Sequence, residues 1–458
     1  MSKPGSNNTL YVRGQDHVGP DSAAATGIRM KYSDVLEYFG EDIFQEIEDY
    51  GSAIIRQDIR EPARTLIEAR ELLGLSQAEL AKSIRTTLES IQRAEDHRCR
   101  SDIWELAKIA QHLGIANEIA LGTGRANVDK SLSARLKSAR NSIGGEKEYT
   151  PNVVAMLSEA GWVISTQLSL ARELGKVRPL PAEFEHDSNY GSSSEPVYIH
   201  GYRLAHRARE ILGISTLEPI QSIRELIEDK LSIPVVLNDL GGKIAGATVS
   251  SQGGRGVVLN SKFHDSDIMA FRFTMAHELG HLLWDGDSEL EHLVVDGYAS
   301  VRNPFDNGQP LKLEKDRRHY YIEARANAFA AEFLAPRDAV LDTHEQYKKP
   351  GEKILAVMNR FGIGYNCAKH QIKNSLKGKE LFFPNVSLEL IDPDRQWISA
   401  ENNAHAEIFA GISPSRGSRF ANIVAESLRM DLITEDMAAC YLGCSVENAR
   451  KSMRFLVQ

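Results

Sequence analysis

Apolar residues recur at three- and four-residue spacing from residue 30 to residue 125. That period places them on one face of a helix, so the pattern predicts a mostly helical unit over residues 29–125. Residues 1–28 mix Gly, Ser, Asn and Asp without a period and are predicted to form a mobile arm. The apolar positions that set the helical period include Leu36, Phe39, Ile43, Ile47, Leu66, Ala69, Leu72 and Leu73.

A stretch rich in Pro, Ser and Gly over residues 175–197 predicts a linker that divides the molecule. Residues 126–174, before it, are expected to be helical and to include a basic helix. After the linker, three short apolar runs enriched in Val and Ile interrupt the helical period and predict a small sheet. These runs are IPVVLND, KIAGATVSS and GRGVVLNS. The sequence therefore predicts an α+β protein whose N-terminal part is all-helical.

The composition is that of an ordinary globular protein. A length of 458 residues favours about three domains, and 42% hydrophobic with 26% charged residues excludes a fibrous or wholly disordered chain. The net charge of -9 excludes a surface that is basic throughout, so contact with nucleic acid needs a local basic patch. No apolar run has the length of a membrane span, and the N-terminus lacks an apolar signal core, which predicts a cytoplasmic protein with no membrane partner. The four cysteines are too sparse for a disulfide framework.

Residues 63–98 carry the signals of two short helices joined by a turn. Ser76 followed by Glu79 predicts a capping box at the start of one helix, and Thr87 can cap the next. The segment resembles the Xre or lambda-repressor-like DNA-binding family over about residues 60–117, which implies binding to double-stranded DNA. The expected DNA contacts are Gln77, which the resemblance assigns, and the outward-facing Thr87, Ser90, Gln92 and Arg93.

A second interpretation of this segment stays open. The resemblance implies a structural salt bridge between Arg70 and Glu95, but Arg85 stands where the family has a turn glycine. Residues 64–108 hold eight basic and eight acidic side chains, so the segment alone offers no electrostatic footprint for DNA. The basic helix over residues 125–140 is a candidate to supply one. The alternative is a helical adaptor in which that basic helix is simply a solvated face.

The strongest functional signal is the pentapeptide HELGH, which contains His277, Glu278 and His281. Two histidines four residues apart project from one face of a helix and can bind a single zinc ion, with the glutamate beside them as general base. A catalytic zinc also needs a third protein ligand and an open position for water. The chain offers Asp287 and Glu323. We prefer Glu323, because a carboxylate from a second helix closes the site without the glycine turn that the nearer Asp287 requires.

HELGH and the segment E-x-x-A-N-x-F-A-A-x-x-L-x-P, residues 323–336, together resemble the ImmA/IrrE family of zinc metallopeptidases. The resemblance covers about residues 198–375. Members are often encoded with or fused to Xre-type domains, and several cut a helix-turn-helix repressor. The site residues that it implies are His277, His281 and Glu323 as Zn²⁺ ligands, Glu278 as the catalytic carboxylate and Asn327 as a residue that orients a ligand.

The resemblance and the residue pattern together predict the domains that follow the linker. The resemblance implies a zincin-like metallopeptidase domain with a small mixed or antiparallel sheet over residues 198–385. Residues 386–458 are expected to be helical, either as a hairpin or as a second helix-turn-helix-like unit. Residues 257–260 are expected to form an edge strand that pairs with an extended peptide substrate. The candidates for an oxyanion donor are His292, Tyr298, His319, Tyr320 and Tyr321.

Two functions of different classes follow. The first is a DNA-binding transcriptional regulator with a zinc endopeptidase domain that cleaves a partner repressor or antitoxin. The second is a non-enzymatic Xre-type regulator or toxin–antitoxin component whose peptidase-like domain acts as a sensor or partner-binding module. The complete HELGH motif favours the first, because structural zinc sites more often have four cysteine or histidine ligands. The expected partners are a protein substrate, double-stranded DNA and, as a homodimer, a second copy of the chain.

Overall fold

The computed structural model has an α+β fold, the class that the sequence predicts, with helices packed around small sheets. The N-terminal part, however, is not all-helical, because it also contains strands. The residues that the structure describes are 9–56, 58, 60–141, 147, 149–184, 196–251, 253–264, 267–286, 296–297, 314–376, 393–402 and 412–456.

The chain begins with a four-stranded antiparallel sheet of strand order β3-β1-β2-β4. The predicted mobile arm is therefore wrong for residues 10–28, and residues 1–8 lie outside the described part. Each strand is four residues or shorter, which is too short for the sequence to show a period there. Tyr11, Val18 and Ile28 are nevertheless fully buried. The strands are β1 (Leu10–Arg13), β2 (His17–Pro20), β3 (Ile28–Lys31) and β4 (Ala53–Ile54).

Helices dominate the rest of the N-terminal part, and their ends follow the sequence signals. The Ser76 hydroxyl accepts a hydrogen bond from the Glu79 N–H, and the Glu79 carboxylate accepts one from the Ser76 N–H. Thr87 caps the next helix by accepting from the N–H of Ser90. The elements are α1 (Tyr32–Phe39), α2 (Glu41–Tyr50), α3 (Glu61–Leu72), α4 (Gln77–Ser83), α5 (Leu88–Ala94), α6 (Ile103–His112), β5 (Ile115–Ala116), β6 (Asn127–Val128), α7 (Lys130–Arg140) and α8 (Pro151–Glu173).

The following part contains a mixed sheet of strand order β10-β8-β9-β7. β9 pairs antiparallel with β8 and parallel with β7, so it lies inside the sheet and the edge strand expected at residues 257–260 is wrong. The second partner of β9 is β7, which comes from an earlier apolar run in the sequence. The alternation of apolar and polar residues does not reveal which strands pair. The strands are β7 (Val235–Asn238), β8 (Ile244–Ser251), β9 (Gly254–Asn260) and β10 (Asp296–Gly297).

Helices pack around this sheet and form its apolar core. The short helix Ile223–Glu225 continues into a π-helical turn, Leu226–Lys230. The helices are α9 (Val197–Ile211), α10 (Ile223–Glu225), α11 (Ser261–His264), α12 (Ile268–Trp284), α13 (Glu314–Leu334), α14 (Arg337–Glu345), α15 (Pro350–Phe361) and α16 (Tyr365–Ser375).

Helix α8 lies at the centre of the molecule. It is long and apolar enough to span a membrane by length and composition alone, but 78% of its apolar window is buried inside the protein. It packs against α4, α6 and α7 and also against β7, β8 and β9. A single apolar core therefore joins Leu157 of α8 to Val249 and Val258 of the sheet. Residues 176–184 of the expected linker form neither helix nor strand, and residues 185–195 lie outside the described part. The shared core crosses the division that the linker predicts.

The C-terminal helices return to the beginning of the chain. The carboxylate of Asp436 accepts a hydrogen bond of 2.9 Å from the backbone N–H of Arg29 in β3. Gly443, with a φ of 65°, forms the turn between the last two helices. Cys440, in the first of these two, is a buried free thiol. The helices are α17 (Pro393–Asn402), α18 (Ser418–Arg429), α19 (Glu435–Leu442) and α20 (Val446–Leu456).

Candidate metal centre

Helix α12 carries the HELGH motif and is buried along most of its length. The Asp267 carboxylate begins it by accepting a hydrogen bond of 3.0 Å from the N–H of Ala270. Apolar residues occupy several of its sides, which is typical of a helix enclosed by other elements. His277 and His281 project from one face, and their side chains are 5% and 4% exposed.

The two histidines meet Glu323 of α13. The Nε2 atoms of His277 and His281 lie 3.0 Å apart. A carboxylate oxygen of Glu323 lies 3.3 Å from Nε2 of His277, and the other lies 3.7 Å from Nε2 of His281. Donor atoms about 2 Å from a tetrahedral zinc are about 3.3 Å from one another, so these separations fit that ion.

Each histidine is fixed through its other ring nitrogen. Nδ1 of His277 lies 3.1 Å from the amide oxygen of Asn327, and Nδ1 of His281 lies 2.6 Å from a carboxylate oxygen of Asp285. Both partners are acceptors, so they place the ring proton on Nδ1. The Nε2 lone pairs then point at each other and at the Glu323 carboxylate. Such a convergence of electron pairs in a buried place is favourable when a cation lies between them.

Asp285 belongs to the site, although the sequence analysis did not single it out. Its carboxylate also forms an ion pair with Arg325 on α13. Burial disfavours the charged carboxylate, but the hydrogen bond from His281 and the charge of Arg325 outweigh it, and the pKa of Asp285 is lowered. Burial likewise disfavours charged His281, but Glu323 and Asp285 outweigh it, and the pKa of His281 is raised. The sequence contained a signal for this residue, because Asp285 follows His281 by one helical turn.

Glu278 lies beside the three donors and is held by the neighbouring strand. The hydroxyl of Thr248 in β8 donates a hydrogen bond of 2.7 Å to Oε2 of Glu278. None of the described residues forms a hydrogen bond to Oε1 of Glu278. A Cβ at Gly246 would lie 3.3 Å from Oε1 and 2.7 Å from a Thr274 methyl group. Glycine at this position therefore lets the strand approach the helix, a requirement that sequence reasoning missed.

Two glycines let α13 bring Glu323 close to α12. A Cβ at Gly280 would lie 2.9 Å from the Phe329 ring, and a Cβ at Gly201 in α9 would lie 2.5 Å from the carbonyl oxygen of Arg325. A side chain at either position would push α13 outward. The close approach of the two helices therefore explains why this chain has glycine at position 280 of the HELGH motif.

The remaining site predictions fall in different places. Asp287, the alternative ligand, lies outside the described residues. So do His292 and Tyr298, and nothing is described of the side chains of His319 and Tyr320. Tyr321, the last oxyanion candidate, is partly buried at the start of the described part of α13.

Comparison with known families gives one match. Residues 228–373 match the model of the peptidase family described as the IrrE N-terminal-like domain. The match covers about a third of the chain and contains the three candidate ligands, His277, His281 and Glu323. It indicates a metallopeptidase-like function for this part. No curated protein and no solved structure matched the chain. The Xre-like segment lies outside the matched residues, so its assignment stays a prediction.

Some side chains of the helix-turn-helix segment that were expected to contact DNA are engaged within the protein. Ser90 is 9% exposed and accepts a hydrogen bond from the Thr87 hydroxyl, so it does not face outward. The amide of Gln77 donates to Glu95 at 2.8 Å, within the ion pair that Arg70 and Glu95 form as expected. The hydroxyl of Thr87 serves as the helix cap. Gln92 and Arg93 are exposed, and Arg93 pairs with Glu105 at 3.0 Å.

The basic helix α7 uses its charges within the protein. Lys137 donates to the carbonyl oxygen of Glu71 at 3.0 Å, and Arg140 donates to the carbonyl oxygen of Gly74 at 2.8 Å. Arg140 also pairs with Glu79 at 2.7 Å. These bonds complete the C-terminal end of α3, where carbonyl groups need partners. The charged groups of Lys137 and Arg140 thus stabilise the helix-turn-helix unit and are not free to bind a phosphate backbone.

Proposed function

We propose that the chain is a zinc-dependent endopeptidase. The observation that carries the proposal is the convergence of His277, His281 and Glu323, whose donor atoms all lie within 4.8 Å of one another. Asn327 and Asp285 orient the two imidazoles, as outer partners do in zinc sites. Three protein ligands leave a position open for water and substrate, which distinguishes a catalytic from a structural zinc site.

Glu278 is the general base and acid in this proposal. A zinc ion, when bound, polarises the scissile carbonyl group and lowers the pKa of water at the metal. Glu278 removes the proton of the attacking water through Oε1 and returns it to the leaving amine. Thr248 fixes the carboxylate by bonding Oε2, so that Oε1 keeps its direction. Burial of Glu278, at 3% exposure, limits competition from bulk water.

The proposed substrate is an extended segment of a protein partner. On the side of β8 that faces away from β9, β10 pairs only with Ile244 and Gly246 among the described residues. Arg135 donates to the Ser250 carbonyl oxygen on this edge, so the part from residue 247 to residue 249 is the part that can accept an added strand. Thr248 lies on this edge, so a peptide that pairs there would pass the general base. A helix-turn-helix repressor or an antitoxin is the partner we infer from the family resemblance.

The test compares wild type with Glu278→Gln on purified candidate helix-turn-helix repressors and antitoxins from the same genome. Glutamine preserves volume and removes the proton acceptor, so cleavage should fall by at least about 10²- to 10⁴-fold while zinc content is unchanged. Glu225→Gln, at an exposed position outside the metal centre, is the matched control and should cut like wild type. A zinc-loaded Glu278→Gln variant that cuts at the wild-type rate would refute the mechanism.

The non-enzymatic alternative makes a different prediction for the same experiment. A sensor needs a metal but not a base, so neither wild type nor Glu278→Gln would cut any partner. The position of Glu278 beside the ligands, with one oxygen held and the other available, favours the enzyme.

We also propose that the chain binds double-stranded DNA through the exposed face of α5. The observation in favour is the pair of capped helices α4 and α5, whose second helix exposes Gln92 and Arg93. The balanced charge and the engagement of α7 imply weak binding that is lost at modest salt. The test is a titration of the full chain with duplex DNA at low salt, with Gln92→Ala and Arg93→Ala together as the variant. A two-fold operator would require a homodimer, which sedimentation would reveal.

A further inference from the structure

A cavity lies where the helix-turn-helix unit, α8, the mixed sheet and the C-terminal helices meet. Its volume is about 570 Å³, within the range of small-molecule sites. The turn between α4 and α5, helix α6 and the end of β7 contribute to its wall. The segment Pro414–Arg416 and α19 complete it. The metal centre does not line this cavity, so any ligand here is separate from the peptidase substrate.

One stripe of α6 faces the cavity. Trp104, Lys108 and His112 are spaced four residues apart and all line it. Trp104 is partly buried and packs against the apolar core, so its ring is held in place. A fixed aromatic ring on a cavity wall offers a stacking surface for a planar ligand.

Two cations, Lys108 and Arg85, line the cavity. Both are exposed, and neither is held in a salt bridge with a described residue, although the charge of Arg85 acts on Asp239. Asp239, the acid on the opposite wall, pairs instead with Lys262 at 2.9 Å. Arg85 has a φ of 53°, a strained conformation for a residue with a side chain. An arginine at a position suited to glycine suggests that its charge is used there.

The inner wall of the cavity is already neutral. Arg416 donates to Glu159 at 2.9 Å and to the amide oxygen of Gln111 at 2.7 Å. Asn238 donates to the carbonyl oxygen of Met156 at 3.1 Å. These buried groups satisfy one another, and Lys262 pairs with Asp239, so the excess positive charge at the cavity comes from Lys108 and Arg85 and favours an anion.

We propose that this cavity binds a nucleoside monophosphate. Its phosphate group would lie between Lys108 and Arg85, which can both donate charge-assisted hydrogen bonds. Its base would stack on Trp104. The polar side chains of Asn152 and Ser261 also line the cavity and can bond the ribose hydroxyls or the base edge. The ligand would contact both the helix-turn-helix turn and the segment that leads into α12.

Tryptophan fluorescence tests the proposal on the full chain. Trp162, Trp284 and Trp397 are buried, at 2%, 1% and 1% exposure, so stacking on Trp104 is the quenching event to be followed. The probes are AMP, GMP, CMP and UMP, with adenosine and inorganic phosphate as the two halves of the ligand. At least one monophosphate should quench with a Kd in the micromolar to millimolar range and bind more tightly than either half. Trp104→Phe should abolish the quenching but keep the binding heat seen by calorimetry.

The charge variants distinguish specific binding in the cavity from nonspecific binding. Lys108→Gln combined with Arg85→Asn should weaken binding about tenfold or more, because two charge-assisted contacts are lost. Asparagine tolerates the left-handed conformation at this turn, so the variant keeps the fold. Lys82→Gln, an exposed lysine of α4 that does not line the cavity, is the control and should bind like wild type. The proposal is overturned if none of the four monophosphates binds, or if the double variant binds as tightly as wild type.

Discussion

The hydroxyl of Thr248 donates a hydrogen bond of 2.7 Å to Oε2 of Glu278, which joins strand β8 to the HELGH helix. The two side chains come from elements that are adjacent in the fold and 30 residues apart in sequence. The bond fixes the carboxylate from outside its own helix and leaves Oε1 for proton transfer. Catalysis in the proposed mechanism depends on that orientation.

Thr248→Val tests this relationship, because valine keeps the shape of threonine and removes the donor. The variant should keep its zinc and lose on the order of tenfold or more in kcat/KM for partner cleavage. Thr248→Ser retains the hydroxyl and should recover most of the rate. Equal rates for the valine variant and wild type would show that the bond has no role in catalysis.

Asp285→Asn should weaken zinc binding by about 10- to 100-fold, because His281 loses the charged acceptor that orients its ring. Competition with a chromophoric chelator measures the change. Asp338→Asn, at an exposed position of α14, is the matched control and should bind zinc like wild type. Unchanged affinity in Asp285→Asn would remove Asp285 from the metal centre.

Zinc affinity should fall as the pH is lowered. The pKa of His281 is raised, so the metal-free chain holds a proton on this histidine to a higher pH than an unperturbed histidine does. Zinc must displace that proton, and its affinity therefore rises with pH until the pKa of His281 is passed. Chelator competition between about pH 5 and pH 8 measures the slope. An affinity that does not change over this interval contradicts His281 as a ligand.

The buried ion pair between Arg272 and Glu401 should be essential for stability. Glu401 also accepts hydrogen bonds from the Ser222 hydroxyl and from the N–H groups of Ile223 and Arg224. Both members of the pair are 0% exposed, so Glu401→Ala leaves a buried charge and should cost about 3 to 5 kcal/mol of unfolding free energy.

Urea unfolding of three variants checks the origin of this loss. The double variant Arg272→Met, Glu401→Leu removes both charges and should be less destabilised than Glu401→Ala. Glu352→Ala, which breaks an exposed pair with Lys349, should cost less than about 1 kcal/mol. The interpretation fails if Glu401→Ala unfolds no more easily than Glu352→Ala.

The sequence predicts the two histidine donors from local periodicity, and the family resemblance implies Glu323 as the third. Two histidines on one helical face and the EARAN segment are visible without any tertiary information, and the structure brings His277, His281 and Glu323 together. The partners of these donors depend on how elements pack. Thr248 and Gly246 reach Glu278 from a strand, and no spacing rule connects them to HELGH.

The N-terminal strands and the joined core were missed for related reasons. A strand of four residues, such as β1, is too short to establish a period of two. The loop-like composition around residue 180 favours a boundary between domains. Burial of α8 between both parts overrides this reading, since its apolar residues contact both halves. The basic residues of α7 suggested DNA contact, but carbonyl groups at the end of α3 bind them.

The metal content of the purified chain tests the central claim most directly. Elemental analysis after dialysis is compared for wild type, His277→Ala, Glu323→Ala and Asp287→Ala. The account predicts one zinc per chain in wild type and in Asp287→Ala, and strongly reduced zinc in the other two variants. Full zinc occupancy in Glu323→Ala together with its loss in Asp287→Ala would contradict the proposed centre.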